Sequence, residues 1–246
     1  MTVDLKHISP GFPSETGKPE KIIAEILLSF FQDKSSPVIA AVGGPGGTGK
    51  STFCESLKNL LPDCDVLELD NYKKSRKERR ELKVYGPHPD ANRIDLIVEH
   101  LRILHSGGTI DSPVYNRVSG ETDTTIRFSP RRFILLDGEI STYAQFRQYV
   151  DFSIFIDSDL KTQLCTRMSR DVQSRGSSRE TAISTFLNSN IKEFTLYGAP
   201  SKSWADIHLY CNEDYSLQFE TVLADKVLLD ITPAQGVSQD QQMLIL

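Results

Sequence analysis

The chain has 246 residues, of which 39% are hydrophobic and 25% charged, and its formal net charge is −5. This composition is ordinary for a globular protein and excludes a disordered one, and the negative charge argues against a nucleic-acid partner. No apolar run is long enough to span a membrane, and the N-terminus lacks the apolar core of a signal peptide. The four cysteines form no C-x-x-C pair, which favours reduced thiols. We therefore expect a cytoplasmic protein without a membrane partner.

The first predicted elements follow a polar arm, residues 1–18, which glycine and proline interrupt. Apolar residues recur at helical spacing between positions 21 and 31, so an α-helix is predicted there. The apolar run at about 37–43 is predicted to be the first β-strand. A glycine-rich segment follows this strand directly and leads into a second helix.

That segment, residues 44–51, reads Gly-Pro-Gly-Gly-Thr-Gly-Lys-Ser and matches the phosphate-binding loop G-x-x-x-x-G-K-[ST]. Its glycines allow backbone N–H groups to point inward, at the positive end of the next helix. Lys50 would reach the β- and γ-phosphates, and the Ser51 hydroxyl would hold Mg²⁺. A glycine-rich turn without a ligand is the alternative, but strand, loop and helix together predict a nucleoside triphosphate site with ATP and Mg²⁺ as cofactors. The predicted nucleotide-binding residues are Gly44, Gly46, Gly47, Thr48, Gly49, Lys50, Ser51 and Thr52.

The middle of the chain alternates strands and helices. Residues 65–69 are predicted to form a second strand, which ends at Asp70. The basic run 73–80 follows, and such runs are usually solvated surface. Amphipathic spacing predicts a helix over 94–104, and short alternating pieces between 109 and 132 predict a β-hairpin insertion.

The remaining elements complete a parallel sheet. The apolar runs 133–136 and 152–156 are predicted to be buried strands, followed by helices over 160–175 and 178–193 and a last strand at 207–210. Continuous apolar strands separated by helices indicate a sheet covered on both faces. The predicted fold class is therefore the α/β P-loop NTPase fold, with a doubly wound, mainly parallel sheet, a hairpin insertion and a helical lid. We predict an arm (1–18), a domain (19–232) with the hairpin at about 109–132 and the lid at about 165–185, and a tail (233–246).

Two acidic residues are predicted to lie beside the phosphate-binding loop, because ligands of such sheets bind at the carboxyl ends of the strands. Asp70 ends the second strand and is the natural base for a hydroxyl that attacks a phosphate. Asp137 ends the strand 133–136, where it could support Mg²⁺. The alternatives are a helix or turn cap for Asp70 and a turn residue for Asp137. The predicted metal ligands are Ser51, Asp70 and Asp137.

Three arginines are predicted to form the lid. Arg167, Arg170 and Arg175 lie on a helix that ends at Gly176, and the first two share a face because they are three positions apart. Guanidinium groups suit phosphate oxygens. An ordinary basic helix face is the alternative, but beside a phosphate-binding loop we expect a lid that closes over ATP. The predicted catalytic residues are Asp70, Lys50, Arg170 and Arg175.

From about residue 38 to residue 206 the chain resembles the uridine kinase and phosphoribulokinase family of P-loop kinases. The resemblance implies ATP-dependent transfer of a phosphoryl group to a hydroxyl of a small molecule. It implies Asp70 as the base, Arg170 and Arg175 as lid arginines, and Asp137 as the metal-supporting acid, where uridine kinases usually carry Glu. Its specific stretches are residues 69–72, 88–91, 113–116, 136–138, 152–157, 167–171 and 175–176. The residues expected to contact the acceptor are Tyr72, His88, Asp90, Tyr115, Asn116 and Arg167.

The chain departs from uridine kinases where they contact the nucleoside. Their aromatic–Asp pair before His-Pro-Asp-Ala is replaced by Gly86 and Pro87, with Tyr85 one place earlier. Their base-contacting His, five residues after the tyrosine of Pro-x-Tyr, is replaced by Gly120. Residues 115–120 are more similar to the Tyr-Asn-His-x-Thr-Gly stretch of phosphoribulokinases, whose substrate already carries a phosphate.

The identity of the acceptor therefore stays open. A nucleoside such as uridine or cytidine is the first hypothesis, and a sugar or sugar phosphate, with cations supplied by residues 73–80, is the second. A regulator that binds a nucleotide without catalysis is a third, although it would need neither Asp70 nor the lid arginines. The expected partner is a small-molecule hydroxyl acceptor, and the chain could form a homo-oligomer.

Overall fold

The computed structural model describes residues 18–222, so the predicted tail and all of the predicted arm except Lys18 lie outside the described residues. Its strands are β1 (Val38–Gly43), β2 (Cys64–Glu68), β3 (Ile110–Asn116), β4 (Glu121–Phe128), β5 (Phe133–Asp137), β6 (Phe152–Asp157), β7 (Ile207–Cys211) and β8 (Leu217–Val222). Six of them form one sheet in the order β2-β5-β1-β6-β7-β8. All neighbouring pairs in that sheet are parallel except β7 and β8.

Helices cover both faces of this sheet, because its central strands are apolar on both sides. In β1, Val38, Ala40 and Val42 belong to the core beneath helices α1 (Pro19–Phe30) and α2 (Lys50–Leu60). Ile39 and Ala41 belong to the opposite core, which lies beneath helix α4 (Ile94–His105). The predicted α/β P-loop NTPase fold is confirmed.

The predicted last strand, at 207–210, has to be corrected, because β7 is followed by an antiparallel partner, β8. The chain reverses at Asn212, whose N–H donates to the carbonyl of Ser216 at 2.9 Å. Leu217 and Phe219 alternate with polar residues and pack against the core beneath α1 and α2. Only one side of this edge strand is apolar, so it lacks the continuous apolar run by which β1, β5 and β6 were predicted.

The two predicted lid helices are shorter as α-helices than expected. Helix α5 (Leu160–Met168) continues as a π-helix over Ser169–Ser174, and helix α6 (Arg179–Phe186) continues as a π-helix over Leu187–Gly198. The side chains of Asp159 and Ser178 cap the starts of α5 and α6. Segments of π-helix are frequent at functional sites.

The predicted hairpin insertion is confirmed as a separate two-stranded sheet of β3 and β4. The basic run before it forms the short helix α3 (Arg76–Leu82), which no buried residue anchors. Instead, a capping box between Ser75 and Glu78 starts the helix, and the N–H of Arg76 donates to the carbonyl of Gly120 at 2.7 Å. Helix α3 is thereby joined to the tip of the hairpin.

Among the helices within residues 18–222, none has the length and apolar content that crossing a bilayer would require.

Gly44 begins the loop after β1 at a φ of +132°, and a Cβ there would collide with the carbonyl oxygen of Ile156. We expect Gly44→Ala to lower the free energy of unfolding by about 2 kcal/mol or more, from strain and overpacking together. The control is Gly107→Ala, where φ is +84° but the space is open, so only the left-handed backbone costs energy, about 1 kcal/mol. Urea unfolding measures both, and equal losses would contradict the close approach.

Candidate active site

Three neighbouring strands bring the predicted donor residues to one edge of the sheet. The phosphate-binding loop follows β1, and Asp70 lies in a 3₁₀ turn (Leu69–Tyr72) directly after β2. Asp137 is the last residue of β5, where it pairs with Val42 on one side and Glu68 on the other. The carboxyl ends of β1, β2 and β5 therefore lie side by side, as the sequence predicted.

Lys50 begins α2 and is buried against its own loop. Its Nζ donates to the carbonyl of Pro45 at 2.7 Å, and the hydroxyl of Thr48 donates to the same oxygen at 3.1 Å. Burial lowers the pKa of Lys50, and the carboxylates of Glu139, Asp137 and Asp70 oppose this shift. The ammonium therefore lies in an acidic environment at the mouth of the loop.

Ser51 and Asp137 form the predicted metal-supporting pair. Burial raises the pKa of Asp137, while a hydrogen bond from Ser51 and the charge of Lys50 act in the opposite direction. A hydroxyl and a carboxylate side by side are hard oxygen ligands of the kind that Mg²⁺ prefers, and such sites leave the other positions to phosphates and water. The residues present therefore fit a magnesium ion that accompanies a nucleotide.

Asp70 is the partly exposed carboxylate of the site, and two cations contact it. Lys73 Nζ lies 2.7 Å from Oδ1, and Arg117 lies 3.8 Å from Oδ2. Burial raises the pKa of Asp70, but Lys73, followed by Arg117 and Lys50, outweighs it and holds the pKa well below its usual range. Asp70 is therefore ionised at neutral pH and ready to accept a hydrogen bond.

The three predicted lid arginines meet at one buried carboxylate, that of Asp171. Arg175 lies 2.8 Å from it, Arg170 3.1 Å and Arg167 3.7 Å. Arg170 and Arg175 are partly exposed, whereas Arg167 is buried and donates to the amide oxygen of Asn190. Arg167 also lies close to Gly46 of the phosphate-binding loop, whereas Arg170 and Arg175 stay at the surface of the predicted lid.

Two predicted acceptor residues, Tyr115 and Asn116, lie at the end of β3. The hydroxyl of Tyr115 accepts a hydrogen bond from Arg79 at 2.6 Å. The backbone N–H of Tyr115 donates to the side-chain oxygen of Asn71 at 3.1 Å. These contacts join the hairpin to the segment that follows Asp70. The exposed side chain of Asn116 accepts from the N–H of Val118 at 2.9 Å and so stabilises the hairpin turn.

His88 and Asp90 lie on the loop between α3 and α4. The ring of His88 packs against the ring of Tyr197, with 4.5 Å between the ring centres. Nδ1 of His88 accepts a hydrogen bond from the N–H of Asp90 at 3.0 Å. The side chain of Asp90 is 69% exposed. This loop is anchored by Glu193, which accepts from the N–H of Tyr85 at 2.7 Å.

Tyr72, predicted to contact the acceptor, is placed elsewhere by the structure. Its side chain is completely buried, and its hydroxyl lies 2.8 Å from Nδ1 of His100 on α4. A side chain enclosed in this way packs the core beneath α4 and cannot reach a ligand. Tyr72 follows Asp70 by two positions in the same 3₁₀ turn, but Tyr72 is buried whereas Asp70 stays partly exposed.

Comparison with known proteins agrees with this geometry. Residues 38–215 match the phosphoribulokinase/uridine kinase family. The chain belongs to this family. A uridine kinase from Erwinia tasmaniensis is 34% identical over 187 residues, which cover 71% of this chain and 88% of that protein. A phosphoribulokinase from Synechocystis sp. is 31% identical over 174 residues, which cover 69% of this chain but only 52% of that longer protein.

The fold of this family member also matches solved structures. A structure described as a possible uridine kinase from Bacillus stearothermophilus superposes with a TM-score of 0.59 at 15% identity, over 77% of this chain and 96% of that one. Such a low identity supports the fold alone. The family match and the relatives at more than 30% identity identify the chain as a P-loop kinase and thus as a phosphotransferase.

Two acidic residues of this kinase site, Asp171 and Glu139, were not predicted. Asp171 could have been found from spacing, because it is four positions from both Arg167 and Arg175 and helical i,i+4 pairs meet. Glu139 follows Asp137 by two positions and contacts Arg167 at 3.6 Å. Its role depends on contacts between distant segments, which no local pattern reveals.

The effect of the Lys73 charge on the pKa of Asp70 can be tested by titration. Because this cation lowers the pKa of Asp70, we expect Lys73→Gln to raise that pKa towards its ordinary value of about 3.9. In this variant ionised Asp70 contributes less to the free energy of unfolding above about pH 4 than in the wild type. On acidification that smaller contribution is lost at a higher pH, because the folded-state pKa of Asp70 is higher. NMR titration of the Asp70 carboxyl carbon measures the shift. Lys74→Gln is the control, and a similar shift in both variants would count against the contact.

Proposed function

We propose that this protein is an ATP-dependent kinase that phosphorylates a hydroxyl of a nucleoside, such as uridine or cytidine. The observation that carries the proposal is the meeting of Lys50, Ser51, Asp137 and Asp70 at the carboxyl ends of three adjacent strands. A donor site needs the first three, and only a transfer reaction needs the fourth.

The donor half would hold the nucleotide by the loop and the lid. Backbone N–H groups and Lys50 would bind the β- and γ-phosphates, and Ser51 and Asp137 would hold Mg²⁺. The metal ion would neutralise charge that develops on the phosphates. Arg170 and Arg175, which share Asp171, would exchange this carboxylate for phosphate oxygens when the lid closes.

Asp70 would act on the acceptor hydroxyl. Phosphoryl transfer passes through a loose transition state, so positioning the hydroxyl matters more than removing its proton early. A carboxylate whose pKa is held low suits this role, because it stays ionised and accepts a hydrogen bond over the whole physiological range.

The uridine kinase relative supports a nucleoside as the acceptor, because the similarity covers 88% of the length of that enzyme. A sugar phosphate is the second candidate, and a particular observation favours it. Lys73 and Arg117 contact Asp70, and Arg79 contacts Tyr115, so several cations lie around residues that are proposed to act on the acceptor. An acceptor that already carries a phosphate would match that charge.

An acceptor screen tests the proposal and separates the two candidates. Purified protein with Mg-ATP is offered uridine, cytidine, ribulose 5-phosphate and free pentoses, and ADP release is recorded. We expect release with the two nucleosides. Preference for ribulose 5-phosphate would replace the nucleoside by the second candidate. Release with none of them would overturn the proposal and favour a nucleotide-binding regulator.

Substitutions test the residue roles within the same assay. We expect Asp70→Asn to lower kcat by about 10²–10⁴-fold while ATP still binds, because the general base is lost. Lys50→Ala should lower ATP turnover by about 10²-fold or more, because phosphate stabilisation is lost. Glu213→Gln, in an exposed ion pair with Lys161, is the matched control. An Asp70→Asn enzyme as fast as the wild type would refute the assignment of the base.

A further inference from the structure

Asn190 joins the second helical segment of the predicted lid to the phosphate-binding loop. It is buried in the π-helix over Leu187–Gly198, 144 positions away from its partner in the loop. Its Nδ2 donates to the carbonyl of Gly46 at 2.8 Å and to Oε1 of Gln163 at 2.9 Å. Its Oδ1 accepts a hydrogen bond from Nη1 of Arg167. A single amide therefore connects the loop with α5 and with the π-helix.

The orientation of this amide is determined by its partners. An asparagine side chain has one acceptor oxygen and an NH₂ group with two donors, whereas a guanidinium can only donate. If the amide were turned over, its NH₂ group would face the guanidinium of Arg167, and its oxygen would face the carbonyl of Gly46. Gln163 cannot adapt to that change, because its Nε2 donates to the carbonyl of Ser158 at 2.8 Å. Asn190 is therefore held as a donor to the loop.

The same network packs closely against the backbone of the loop. A Cβ at Gly46 would lie 2.5 Å from Nη1 of Arg167, and a Cβ at Gly47 would lie 2.7 Å from the carbonyl oxygen of Gln163. Arg167 and Gln163 are four positions apart on α5, so they lie on one face of this helix. That face of α5 and the π-helix together cover one side of the peptide between Gly46 and Gly47.

The bond to the carbonyl of Gly46 also orients the N–H of Gly47. The peptide that joins the two residues is planar and trans, so its carbonyl and its N–H point in opposite directions. Two neighbouring glycines would permit other orientations of this peptide. While Asn190 holds the carbonyl, the N–H points away from α5 and the π-helix. Backbone N–H groups of such a loop are the donors that bind phosphates.

We propose that Asn190 is a positioning residue of the nucleotide site, which fixes the peptide between Gly46 and Gly47 so that the N–H of Gly47 is directed at the phosphates. The inference rests on the nucleotide-binding half of the proposed function and does not depend on the acceptor. A donor that is fixed in advance binds more tightly, because it loses no freedom when the ligand arrives. Asn190 therefore strengthens the binding of the phosphates beyond the first, which the backbone and the lysine of such a loop surround.

Equilibrium binding of ADP and AMP tests the proposal without requiring turnover. Isothermal titration in the presence of Mg²⁺ gives the Kd of each, and the ratio of AMP to ADP reports the contribution of the second phosphate. Leucine has the branching of asparagine but no hydrogen-bonding group. We expect Asn190→Leu to lower the ratio about 10-fold, which corresponds to one hydrogen bond to a charged group, while the Kd of AMP stays within about twofold.

Asn188→Leu is the matched control. Asn188 lies in the same π-helix, and its side chain donates to the carbonyl of Ser184, one turn earlier in the same helical segment. The same substitution at this position should keep the wild-type ratio.

The N–H of Gly47 provides a second readout, which a purely structural role of Asn190 would not change. Donation to a phosphate moves an amide proton resonance downfield. In ¹⁵N-labelled wild type we expect ADP to shift the Gly47 resonance downfield, and we expect a much smaller shift in folded Asn190→Leu. The Asn188→Leu variant should show the wild-type shift.

Other outcomes would overturn the proposal. These are an unchanged ratio in Asn190→Leu, an equal loss of ADP and AMP binding with an unchanged Gly47 shift, and a wild type that binds ADP no more tightly than AMP. If Asn190→Leu does not fold, Asn190→Asp takes its place. This variant keeps an acceptor for Arg167 but loses both donors, so an unchanged ratio and Gly47 shift would contradict the proposal. Failure of the proposed function looks different, because the ratio still falls in Asn190→Leu but no acceptor causes release of ADP from Mg-ATP.

Discussion

The pairing of β1 with a parallel neighbour on each side is the constraint on which the rest of the site depends. Val42 lies opposite Asp137 of β5 and opposite Ile154 of β6, so the end of β1 cannot shift without breaking both ladders. The loop that follows is fixed at once, because the backbone of Gly44 passes close to the carbonyl of Ile156. A phosphate-binding loop requires such a rigid origin, since its N–H groups must converge on one point.

The second organising feature is a set of paired charges around that loop. Asp70 pairs with Lys73, and Asp171 pairs with Arg175, both at less than 3 Å. Charges left unpaired at a partly buried site would be costly, which explains why these two acids each have a cation beside them. The lid arginines proposed to bind phosphates are therefore already engaged, so that binding would exchange one anionic partner for another. The net gain in free energy would then be smaller than a count of new contacts suggests.

The parts of the molecule that could be predicted are those that short stretches of sequence determine. The loop, the strand ends and the hairpin are encoded by short patterns, and the rule that parallel strands end at one edge brings Asp70 and Asp137 together. The burial of Tyr72 and the placement of Glu139 depend on contacts between segments far apart in the chain. Short patterns carry no signal for such contacts. The edge strand β8 was missed because one of its faces is polar.

The same distinction separates donor from acceptor. The phosphate-binding loop is continuous in sequence, so one motif specifies it. The proposed acceptor side is assembled from two segments that distant residues hold in place. The loop at Tyr85 is bonded to Glu193, 108 positions away, and the hairpin is bonded through Tyr115 to Asn71, 44 positions away. Each segment can change while the sheet stays intact. Both departures from uridine kinases fall in these segments, outside the strand ends that carry Lys50, Asp70 and Asp137.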